Sequence, residues 1–178
     1  MKTSPILLAA ALAAAASMFA AAPADSKARV EVGFDHPEKF TDVKDSSFGS
    51  EKGRDSYLAL FKEYLQDRAP HYLADGQKLS ITFTDIDLAG DFEPARGPDY
   101  NDVRIVKDIY PPRLNFTYKV VDASGAVVKE GQEKLIEMAF QMTANPVNNQ
   151  DSLRYEKAML DNWLRAQSWR PKKAAANQ

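Results

Sequence analysis

Residues 113–132 read RLNFTYKVVDASGAVVKEGQ, and this stretch decides the architecture. Two runs rich in β-branched and aromatic residues, Arg113 to Val121 and Ala126 to Gln132, flank Asp122-Ala123-Ser124-Gly125, where Gly125 is placed for a left-handed turn residue. Strands joined by so short a turn pair only antiparallel. The second arm reads on to Phe140, because Lys134, Ile136, Met138 and Phe140 share one face, and Gly131 reads as a bulge.

Working outward, Leu79, Ile81 and Phe83 alternate with Ser80, Thr82 and Thr84 after the Asp75-Gly76 turn, which predicts a strand. An earlier strand carries Val30, Val32 and Phe34 in alternation with Glu31, Gly33 and Asp35, and His36-Pro37 ends it. Val103 to Ile109 is a further strand candidate. Phe40 to Gly53 is polar and aperiodic and reads as a loop, with Asp55 or Ser56 capping the helix that follows. In that helix, Tyr57 to Arg68, Leu58, Phe61 and Leu65 form one stripe, and Pro70 stops it at Ala69.

After a loop from Asn145 to Gln150, Asp151 or Ser152 caps a closing helix. Leu153, Met159, Leu160, Trp163 and Leu164 lie on one side of it, and Asp161 precedes Arg165 in an exposed ion pair. The expected fold is α+β, a single mostly antiparallel sheet of four to five strands with two amphipathic helices packed on one face. Residues 25–168 make one domain and 169–178 a polar tail.

The N-terminus carries an address. Lys2 precedes the 12-residue apolar run Pro5 to Ala16, which is too short to span a bilayer, and Ala22-Pro23-Ala24 fits a small-x-small cleavage site. Residues 1–24 therefore read as a signal peptide, Asp25 as the first mature residue, and the protein as exported to the periplasm. With no cysteine in 178 residues, disulfides, thiolate chemistry and lipidation of an N-terminal Cys are all excluded. No later segment approaches transmembrane length, so the mature chain is expected to be soluble. A net charge of −2, from 23 basic and 25 acidic residues, argues against nucleic acid as a partner.

The densest chemistry lies between Asp85 and Asp102, where Asp85, Asp87, Asp91, Glu93, Asp99 and Asp102 face only Arg96. Asp85, Asp87, Asp91 and Glu93 are the candidate ligands for a divalent cation, the one cofactor this segment suggests. The helix-loop-helix calcium template fails, because Ala89 stands at its fifth position and Arg96 at its twelfth. Strand parity puts Asp85 and Asp87 on the face of Leu79, Ile81 and Phe83, carrying carboxylates to the edge of the core. Buried carboxylates need partners. Arg104, Arg113 and Arg154 are the candidate partners, which makes a structural ion-pair network the favoured reading. Arg154-Tyr155-Glu156-Lys157 otherwise reads as a solvated face. His36 and His71 occupy turn positions, and neither a zinc motif nor a nucleophile elbow is present. No set of catalytic residues emerges.

Thr84-Asp85-Ile86-Asp87-Leu88-Ala89-Gly90, the run Leu153 to Leu160 with Trp163, and Pro37 to Val43 resemble the bacterial exported family catalogued as domain of unknown function 3016. The likeness spans about Val30 to Trp163. It implies a Gram-negative envelope protein and no assigned activity. The expected function is a non-enzymatic binding or envelope accessory module, its partner an envelope protein or a small ligand. A divalent-cation-binding protein and a carboxylate-dependent hydrolase are the alternatives.

Overall fold

The computed structural model describes residues 26–143, 150–167 and Trp169. The expected leader, most of the loop from Asn145 to Gln150 and the tail from Arg170 onward lie outside the described residues. Among the described residues no helix is long and apolar enough to cross a membrane.

The described elements run β1 (Val30–Phe34), α1 (Glu51–Arg68), β2 (Lys78–Asp87), β3 (Asp91–Phe92), β4 (Arg104–Ile105), β5 (Arg113–Val121), β6 (Val127–Ile136), α2 (Phe140–Thr143) and α3 (Arg154–Ala166). The main sheet has the order β1-β2-β5-β6, and β3 and β4 form a second, two-stranded sheet. Pairing is antiparallel between β2 and β5 and between β5 and β6 but parallel between β1 and β2, so the main sheet is mixed. The cause is α1, which lies between β1 and β2 and carries the chain back to the starting end of the sheet.

The core sits between one face of the sheet and the helices. Leu79, Ile81 and Phe83 of β2 and Leu114, Phe116 and Val120 of β5 are buried with Leu58, Phe61 and Leu65 of α1 and with Leu160, Trp163 and Leu164 of α3. Phe83 lies 5.5 Å from Phe61 and 5.4 Å from Phe116, and Phe116 meets Trp163 edge-on at 4.9 Å. Each fully buried Phe contributes about 1.5–3 kcal/mol of transfer free energy. Asp161 links the two helices: Arg68 and Tyr72 both donate to its Oδ1, and Arg165 pairs with its other oxygen. The Asp161–Arg165 pair is therefore half of an interhelical tie, not an isolated exposed contact.

Several local expectations are corrected. α1 begins four residues ahead of Asp55: Ser50 is its cap, and its hydroxyl accepts from Gly53 N at 2.9 Å. Gly53 looks like a loop residue but is a packing residue, because a Cβ there would lie 2.1 Å from Asp45 Cγ. Leu153 holds the cap position of α3, while Asp151 Oδ1 accepts from Leu153 N and its Oδ2 pairs with Lys157. The β6 bulge falls at Val128, between the pairs Val121–Val127 and Val120–Lys129. Gly131 is in register opposite Tyr118, whose ring would lie 3.2 Å from a Cβ there. β6 stops at Ile136, and Phe140 opens the short helix α2 with its ring buried. Of the stretch Val103 to Ile109, only Arg104–Ile105 is extended, paired with β3.

Candidate functional site

The decisive local feature is a bulge in β2. Phe83 pairs with Phe116, but the next partner, Asn115, faces Asp85, leaving Thr84 as the extra residue. The extra residue reverses the alternation beyond it. Ile86 points into the core at 0% exposure, Thr84 is exposed, and Asp85 and Asp87 take the opposite face. The parity expectation for the two carboxylates is thereby overturned.

Beyond the end of β1 a second segment comes in beside β2. Asp42 N donates to Ile86 O and Leu88 N to Asp42 O, both at 3.0 Å, forming a parallel bridge between Asp42 and Asp87. This brings Thr41 against Asp85, which accepts from Thr41 N at 2.7 Å and from its hydroxyl at 3.0 Å. Asp87 accepts from Arg113 Nη1 at 2.8 Å. Burial pushes the Asp87 carboxyl upward, opposed by Arg113 and reinforced by the charges of Asp42 and Asp85.

Arg104 goes to Asp42, a carboxylate the sequence did not single out. Its Nη1 and Nη2 donate to the two carboxylate oxygens at 2.8 and 3.2 Å and also to Gly90 O and Lys44 O at 2.9 and 3.0 Å. The guanidinium lies 4.7 Å over the Phe92 ring. Such a planar fork is the geometry that Arg supplies and Lys does not. Asp91 Oδ1 accepts from Phe92 N at 2.7 Å, and Glu93 is engaged by Lys107 and by the Tyr110 hydroxyl. Arg154 donates to the Tyr155 hydroxyl at 2.8 Å and lies 4.3 Å over its ring. Among the described residues no three His, Cys, Asp or Glu side chains gather so as to hold a metal ion.

Glu156 is the residue the sequence reading missed. It is 1% exposed, and its Oε1 accepts from Ala89 N at 2.7 Å, while Oε2 has no hydrogen-bond partner. Burial drives its carboxyl up to about 7, against the smaller opposing pulls of the Ala89 N–H, Arg104 and Arg154. A usable signal was present: Glu156 stands three residues after Leu153, four before Leu160 and seven before Trp163, on the apolar stripe of its helix.

Three successive main-chain N–H groups after β2 are thus claimed by three different parts of the fold. Leu88 N goes to Asp42 O, Ala89 N to Glu156 and Gly90 N to Tyr110 O. Gly90 has φ 81°, and a Cβ there would lie 2.7 Å from Ile105 O, so only glycine fits the turn. Beside this turn opens a cleft of about 280 Å³, lined among others by Lys44, Asp87, Gly90, Tyr110 and Arg113.

Fold and site together define an α+β domain closed at the end of an inner strand by acidic groups that each have a donor. The family model described as a protein of unknown function, DUF3016, matches residues 28–166, and the chain belongs to that family. No curated protein and no solved structure matches it.

Proposed function

We propose that the protein is exported to the periplasm and acts as a non-enzymatic binding or envelope accessory module. In this reading the acidic network is structural, and the cleft beside Gly90 receives a partner side chain or a small polar ligand. The observation that carries the reading is the satisfaction of the carboxylates. Asp42, Asp85 and Asp87 already accept from Arg104, Thr41 and Arg113 respectively. Asp42 and Asp87 both line the cleft, but each is held by an arginine, whereas a hydrolytic pair would need carboxyl groups free to act on a substrate. The cleft volume falls just under the roughly 300–1,000 Å³ usual for small-molecule pockets, which favours a small group over a large ligand.

The test has two arms. Fractionation of cells expressing the full chain, with N-terminal sequencing, is expected to place a product beginning at Asp25 in the periplasm. Replacing Asp85 and Asp87 together by Asn is expected to lower the melting temperature by several degrees, as befits a loss of a few kcal/mol in a domain of this size. An unchanged melting temperature, a calcium-dependent rise in it, or turnover of a screened substrate that the double variant abolishes would each overturn the structural role.

A further inference from the structure

One edge of the main sheet is β6, and among the described residues no strand pairs with its side away from β5. Eight of its ten residues are exposed, including Val128 at 45% and Ile136 at 51%. An unpaired edge this long presents a row of free main-chain donors and acceptors, and natural sheets commonly defend such an edge with charges. Here the charges are arranged to match one another. From Lys129 to Ile136 the ladder with β5 is regular, and the bulge lies at the start of the strand. Along one face of this regular stretch the strand reads Glu130, Gln132, Lys134 and Ile136.

We infer that β6 pairs antiparallel with β6 of a second copy of this chain, centred on Gln132, to make one continuous eight-stranded sheet. In an antiparallel pair, facing residues either both turn their N–H and C=O toward each other or both turn them away. Alternate residues of a strand differ in this respect. A strand meeting its own copy across a two-fold axis therefore matches even positions to even and odd to odd. That rule removes the register centred between Gly131 and Gln132, which would set Lys129 on Lys134 and Glu130 on Glu133.

The register centred on Gln132 sets Gln132 on Gln132 and Glu130 on Lys134 of the second copy, all within the regular stretch from Lys129 to Ile136. Each unlike pair occurs twice, as an isologous interface requires. Glu130 already pairs with Lys119 of β5 at 3.3 Å, so the contact would extend an existing cross-strand ladder of alternating charge. Neighbouring registers lose this match. Centring on Gly131 keeps Lys129 against Glu133 but sets Glu130 against Gln132 and leaves Lys134 without a facing acid. Centring on Glu133 sets that carboxylate on itself and Glu130 on Ile136.

The absence of cysteine makes the register directly testable. In the otherwise native mature chain, Gln132→Cys places one thiol on the two-fold axis and is expected to give a disulfide-linked dimer under mild oxidation, much faster than Asp122→Cys in the hairpin turn. By sedimentation, Glu130→Lys alone and Lys134→Glu alone are each expected to weaken the dimer at least tenfold, and the two together to restore it. A native chain that sediments as a monomer up to about 0.1 mM, where even weak dimers populate, would overturn the inference. So would Gln132→Cys cross-linking no faster than the turn control, or a double charge swap that fails to recover association. Capture of an unrelated strand on β6 in place of a second copy would overturn it equally.

Discussion

Replacing Glu156 by Gln isolates the cost of burying a carboxylate inside this fold. The side chain is 1% exposed and its carboxyl is pushed from 4.5 to about 7, so burial weighs against the charged form without solvent screening. Between these values the folded chain keeps a proton that the unfolded chain has released. The unfolded state then binds fewer protons, and stability falls as pH rises through the window. The contribution is neutral below pH 4.5 and its full cost is present above about pH 7. At 1.36 kcal/mol per unit that cost is on the order of 3 kcal/mol. Gln keeps an oxygen to accept from Ala89 N and carries no charge at any pH.

The expected result is a stability difference between variant and native chain that moves in the variant's favour by about 2.5 kcal/mol from about pH 5 to about pH 8. The upward-shifted Asp87 is present in both proteins and cancels from the difference. Urea unfolding followed by tryptophan fluorescence is the assay, because Trp163 and Trp169 are both buried and stand 5.5 Å apart, edge to face. A difference that stays constant across this pH range would refute the reasoning, whatever its sign. A constant offset alone would report only how well the amide NH2 is accommodated where Oε2 now stands without a partner.

Arg104→Lys keeps the charge but loses the fork that holds Asp42, Gly90 O and Lys44 O together. A loss of about 2–4 kcal/mol is expected in the same unfolding assay, and one below about 0.5 kcal/mol would show that the fork is not a structural clamp. Deleting Thr84 removes the extra residue of the bulge and restores simple alternation. Asp85 then follows Phe83 directly, so Asp85 and Asp87 still face out and Ile86 still faces the core, and the variant is expected to keep cooperative unfolding and near-ultraviolet circular dichroism. A deletion variant without cooperative unfolding would show that Thr84 is more than the extra residue of the strand.

What was legible in the sequence is what short-range periodicity can encode. The β5–β6 hairpin, the stripe of α1 and the apolar side of α3 stand where the alternation and the 3.6-residue spacing put them. The parallel pairing of β1 with β2 agrees with the order strand, helix, strand, whereas the hairpin by itself favours antiparallel pairing. The bulge at Thr84 leaves no compositional mark, since Thr suits a regular strand equally well. Ser50 lies inside a polar, aperiodic run that has the composition of a loop, and only the nearness of Asp45 explains Gly53 within the helix. The acidic segment stands out in the sequence by its charge density. Its main partners were not legible, because Thr41 and Glu156 lie 44 and 67 residues away from the groups they meet.

The stretches that carried the family resemblance, Pro37 to Val43, Thr84 to Gly90 and Leu153 to Leu160, meet at one place. Their meeting accounts for an otherwise costly choice. Without an acceptor at position 156 the Ala89 N–H would be buried and unpaired, at a cost of about 1–3 kcal/mol. A carboxylate removes that cost and adds its own desolvation, so the gain lies less in stability than in geometry. Glu156 fixes the turn at Ala89 from α3, the turn fixes Gly90 O for Arg104, and Arg104 in turn holds Asp42 and the carbonyl of Lys44. Lys44, Asp87 and Gly90 are walls of the cleft. A chain of hydrogen-bonded groups thus runs from the helix layer to the wall of the cleft, by way of Glu156, the Ala89–Gly90 turn, Arg104 and Lys44.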